Sequence, residues 1–125
     1  MAYLALGAAF NSMSRFDDAV RTLERGLMLS PSSWQGYFEM GKALLGKGSF
    51  EAGLRQLNKA ESFASNDYPP VHLVKAHAYL GLKNYQEAIS ELELYLTRDP
   101  KGANSAEARQ TLDKVRAFTA SSGSR

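Results

Sequence analysis

Residues 76–100, AHAYLGLKNYQEAISELELYLTRDP, decide the fold. Ala76 and Tyr79 lie three apart, so they share a face of one helix. Gly81-Leu82-Lys83-Asn84 supplies a turn. A second helix then carries Tyr85, Ala88, Ile89, Leu92 and Tyr95 at helical spacing. Asp99-Pro100 ends it, because proline cannot continue a helix and steers the residue before it away from helical backbone. The stretch predicts a helical hairpin.

The hairpin recurs upstream. Tyr85, Phe50 and Phe16 are separated by 35 and 34 residues, and so are the sets Ala88, Gly53, Ala19 and Leu92, Leu57, Leu23. Helix-turn-helix units at this period form stacked arrays, in which each unit buries its apolar face against the next. The spacing predicts three units at about 1–33, 34–68 and 69–102. A narrow apolar stripe, Ala108, Leu112 and Val115, predicts a capping helix over 104–118. Such a helix puts one face on the last unit and the other in water. Residues 1–118 are thus expected to form one all-α domain. Residues 119–125, TASSGSR, are expected to be a disordered tail.

Composition narrows the function classes. With 22% charged and 44% hydrophobic residues the chain reads as globular. A net charge of +2 is too weak to point to nucleic acid or an anionic membrane surface. There is no cysteine, which removes disulfides and thiolate metal sites and is compatible with the cytoplasm, the favoured compartment. The opening MAYLALGAAF has no basic residue before it, so it is read as a first repeat helix rather than a signal peptide.

The first helices of the units share a pattern. Tyr3-x2-Leu6-Gly7-x2-Phe10 recurs as Tyr37-x2-Met40-Gly41-x2-Leu44 and, with departures, as His72-x2-Lys75-Ala76-x2-Tyr79. In this pattern and period the chain resembles the tetratricopeptide repeat (TPR) family, over residues 1–100. The resemblance is most complete in units one and two. The pentatricopeptide RNA binders have a similar period, but their strongly basic character is missing here.

The resemblance implies an α-α superhelix, a solenoid of three hairpins plus the capping helix. It also implies a non-catalytic scaffold that takes a peptide or partner helix in its concave groove. The groove positions are then Leu4, Ala8 and Asn11 in unit one, Gln35, Phe38, Lys42 and Leu45 in unit two, and Leu73, His77 and Leu80 in unit three. Their composition favours an apolar or amphipathic protein ligand, centred on Phe38 and Lys42. The alternative is that neighbouring segments of the chain cover these side chains. The family's carboxylate clamp would need Lys, Arg or Asn at positions that here hold Leu4, Ala8, Glu39, Pro70 and Val74. That clamp is therefore expected to be absent.

No catalytic residue, cofactor, nucleic acid or membrane partner is expected. His72 and His77 are five apart and do not share a helix face as i, i+4 metal ligands do, so no metal is expected either. Glu87, Glu91 and Glu93 read as the solvated face of a helix rather than as catalytic carboxylates. One edge remains. Ala2, Ala5, Ala9 and Ser12 form a stripe of small residues on the first helix, in a stretch without charge before Arg15. An upstream repeat or a second copy of the chain is expected to cover it, giving a homodimer in the latter case. A structural or self-association segment of a larger repeat protein is thus the alternative to a peptide-binding module.

Overall fold

The computed structural model describes residues 2–122, which fold into seven helices with no strand among them. They are α1 (Tyr3–Ser12), α2 (Phe16–Leu29), α3 (Trp34–Gly46), α4 (Phe50–Phe63), α5 (Pro69–Gly81), α6 (Tyr85–Arg98) and α7 (Ser105–Ser122). No helix among the described residues is long and apolar enough to cross a membrane.

Successive helices pack as antiparallel hairpins, α1 with α2, α3 with α4 and α5 with α6, and the first helices also touch one another, α1 on α3 and α3 on α5. Each hydrophobic cluster joins one hairpin to the helix that follows it. Ala19 and Leu23 of α2 meet Met40 and Ala43 of α3. Phe38, Leu57 and Ala60 meet Val71 of α5. Leu73, Ala76, Leu92 and Tyr95 meet Ala108 and Leu112 of α7. The last helix thus fills the place of a fourth unit's first helix. It continues to Ser122, so residues 119–122, expected in a disordered tail, are helical; 123–125 lie outside the described residues.

Close approach within the hairpins needs small residues. A Cβ on Gly41 would stand 2.7 Å from Leu57 and 3.2 Å from the carbonyl oxygen of Gly53. A Cβ on Gly7 would stand 2.5 Å from Leu23. The turns inside the three hairpins are built alike. Ser14, Gly48 and Lys83 are left-handed, with φ of 58°, 80° and 61°. In each the next amide closes a six-residue loop: Arg15 to Phe10, Ser49 to Leu44 and Asn84 to Tyr79, all at 2.8 Å. This is the helix-ending motif that a left-handed residue permits. Ser14 therefore serves as the turn residue, and Arg15 holds the cap position of α2.

Candidate functional site

The expected groove lies along α1 and α3. Leu4, Ala5 and Ala8 of α1 face Trp34, Gln35, Phe38 and Glu39 of α3 across an open cavity of about 310 Å³, and Tyr68 closes one side. Leu4 is 38% exposed. Asn11 ties the two helices, its amide donating to the Glu39 carbonyl at 2.9 Å and to its carboxylate at 3.0 Å. The other carboxylate oxygen of Glu39 stands 3.3 Å from the Lys42 ammonium, which lies 4.9 Å from the centre of the Phe38 ring. The local charges thus cancel, and the open surface left is apolar and aromatic.

Several expected groove residues are elsewhere. Phe38 is only 7% exposed, because Tyr68 meets its ring edge to face at 5.4 Å. Leu73 is 8% exposed in the cluster under α6 and α7. Leu45 packs against the Phe38–Leu57 cluster. Leu45 and Leu73 are packing residues, covered by the chain's own neighbours, and the expectation that they line an open groove is corrected; Phe38, though mostly covered, still borders the cavity. Leu80 is half-buried, while Gln35 and His77 are exposed. His77 and Leu80 do not join the cavity between α1 and α3. Trp34 and Tyr68 are the walls that sequence reading left out.

The small stripe Ala2, Ala5, Ala9 and Ser12 is exposed, but Ala5 faces the groove cavity rather than a separate edge. Leu6, a position of the repeated first-helix pattern, is exposed beside Arg21 and Arg25.

The departures in the third unit have a structural use. His72 is 5% exposed and lies among carboxylates from three segments. Its Nδ1 is 2.9 Å from Glu91 of α6 and 3.5 Å from Glu61 of α4, and its Nε2 is 3.0 Å from Asp67. The Lys75 ammonium reaches Glu61 at 2.7 Å and Glu91 at 3.5 Å. Arg98 reaches Asp67 at 2.7 Å. Glu91 therefore does not belong to a solvated face, as its sequence position implied. Burial alone would lower the Lys75 pKa, but the hydrogen bond it donates to Glu61 and the charge of Glu91 outweigh it and raise the pKa. The Arg98 guanidinium, then His72, hold the Asp67 carboxyl below the usual aspartate range. Lys75 and Arg98 fill the cationic seats of the cluster, and among the described residues no acidic and histidine group is arranged to hold a metal ion.

With this geometry in view, the comparisons fall into place. The tetratricopeptide repeat family model matches residues 69–101, the unit that departs most from the pattern in sequence. The human tetratricopeptide repeat protein 21A is 30% identical over 95 residues. This chain belongs to the tetratricopeptide repeat family. That match takes in 74% of this TPR chain but only 7% of the human protein. The first TPR domain of human RPAP3 is similar at a TM-score of 0.84 and 16% identity, over 97% of this chain and 94% of that one. The TPR2B domain of yeast Sti1, in its pHsp70 complex, is similar at a TM-score of 0.80 and 24% identity, over 90% and 91%. At such identities these two likenesses carry the fold alone.

Proposed function

We propose that this TPR domain is a non-catalytic interaction module whose α1–α3 groove takes an extended peptide or a partner's helix of apolar or amphipathic character. The observation that carries this is the open cavity between Leu4, Ala8, Trp34, Gln35 and Tyr68, apolar at its floor and charge-balanced at its rim. Exposed apolar surface in a concave setting is where partners dock. The pHsp70 complex of the structurally similar Sti1 domain is in keeping with a protein or peptide partner. The ligand is expected to rely on side-chain burial, since Leu4 and Ala8 offer no donor to a carboxylate.

A peptide library selected against the protein, followed by titration of the sole tryptophan's fluorescence, tests the reading. Leu4→Asp and Ala8→Glu are expected to weaken selected peptides about tenfold or more, roughly 1.4 kcal/mol, with an unchanged helical circular dichroism spectrum. Peptides that bind both variants as they bind the parent would place the site elsewhere.

A second reading, self-association through the first hairpin, is favoured by the exposure of Leu6 and Met13 beside Ala5 and Ala9. Light scattering over a wide concentration range tests it. A dimer that Ala5→Glu with Ala9→Glu converts to monomer supports this reading, and a strict monomer throughout removes it.

A further inference from the structure

Resting on the groove reading, we propose that Asp67 is a positioning residue of the binding site: its pairing with Arg98 and His72 holds Tyr68 against Trp34 and Phe38, so the third unit sets the wall of a groove formed by the first two.

The local backbone makes the two side chains answer to each other. Tyr68 is extended, with φ −119° and ψ 98°. It precedes Pro69, which disfavours helical backbone there. Neighbouring side chains on extended backbone point to opposite sides. Asp67 turns towards α5 and α6, where one carboxylate oxygen meets both Arg98 at 2.7 Å and His72 at 3.0 Å. Tyr68 is thereby aimed the other way. Its ring centre lies 4.9 Å from that of Trp34 and 5.4 Å from that of Phe38.

The backbone adds one tie to this segment, the Val71 amide donating to the Tyr68 carbonyl at 3.0 Å. Pro69 and Pro70 lack the amide protons that a helix cap would satisfy, and Tyr68 makes no side-chain cap bond. In the preceding unit the matching place is held by Ser33, whose hydroxyl accepts from Gly36 at 3.2 Å. Here that local bond is replaced by an ion pair with Arg98 and a hydrogen bond with His72. The residue freed from capping contributes a ring to the groove. His72 itself is held from the far side by Glu91 and Glu61, and Lys75 fixes both of those carboxylates. The His72 end of the latch is therefore anchored in buried structure, while the Arg98 end is partly open to water.

Trp34 is the sole tryptophan, which gives a direct readout without any ligand. Acrylamide quenching of Trp34 is to be compared in the parent, Asp67→Ala, Arg98→Ala, Tyr68→Ala and the Asp67→Ala/Tyr68→Ala double variant. Asp67→Ala is expected to raise quenching most of the way to the Tyr68→Ala level, Arg98→Ala part of the way, and the double variant no further than Tyr68→Ala. Asp67→Asn, which keeps an acceptor oxygen, is expected to restore part of the protection. A purely structural Asp67 would lower the melting temperature while leaving quenching of the folded state at the parent value; that result, or additive effects in the double variant, overturns the inference. Should Asp67→Ala fail to fold, Arg98→Ala carries the same test, and unchanged quenching there overturns it. Peptides selected against the parent are then titrated into Asp67→Ala, where weaker binding is expected. Absence of any peptide binding to the parent sinks the groove reading alone, whereas changed peptide binding with unchanged quenching sinks the positioning role alone.

Discussion

Lys75 shows how a charge can sit where the repeat pattern asks for an apolar side chain. Its stem lies in the core of α5, and its ammonium lies between Glu61 and Glu91. Removing one partner of a fully buried ion pair costs roughly 3–5 kcal/mol, but here His72 still faces both carboxylates. Glu61 keeps a third of its side chain in water, so Lys75→Met is expected to cost less, on the order of 2 kcal/mol. Urea unfolding checks this; an unchanged midpoint would mean that water already solvates the carboxylates. Lys83 is a different case. Its left-handed backbone is unfavourable for a side-chain-bearing residue, and the equivalent place in the second hairpin is Gly48. Lys83→Gly is expected to raise stability by about 0.5–1 kcal/mol, because relieved strain outweighs the added freedom of the unfolded chain. A loss in thermal unfolding would show that the Lys83 side chain has a stabilising contact of its own.

At the scale of elements, the hairpins rest on residues without side chains. Gly41 and Gly53 face each other where α3 crosses α4, and a methyl on Gly41 would press into Leu57 and the Gly53 carbonyl. Gly41→Ala is therefore expected to cost about 1–3 kcal/mol, against the small gain in helix propensity that alanine brings. Thermal melts that rise instead would mean that α3 and α4 can separate freely. Gly41 was legible in the sequence because it recurs at one place in a repeated pattern. So was the hairpin period. Leu73 was misread, and the burial of Phe38 missed, because helical spacing gives the direction of a side chain but not what arrives to cover it. Phe38 is covered by Tyr68, thirty residues on in a loop with one inserted residue, and Leu73 by α6 and α7. Glu91 was misread for the same reason: its partners, His72 and Lys75, stand on another helix. The turns at Ser14 and Lys83 carry no glycine to mark their left-handed backbone.

At the scale of the whole molecule, a stacked array has stability that runs from neighbour to neighbour, not through one shared core. The three apolar clusters each span one hairpin and the next helix, so damage at one end should stay local. Leu112 is the sharpest place to test this. It is buried on α7 against Leu73, Leu92 and Tyr95, two hairpins away from α1. Leu112→Asp forfeits the burial of a large side chain and places a carboxylate among apolar neighbours, on the order of 3–5 kcal/mol in total. That energy falls on α5, α6 and α7 first, because their cluster contains no residue from α1 or α2. Amide hydrogen exchange followed residue by residue is expected to lose protection in α5–α7 while the α1–α2 hairpin keeps most of its own. Equal loss along the whole chain would mean that the units fold as one cooperative block, and that α7 stabilises the groove at the far end as strongly as it stabilises the hairpin it covers.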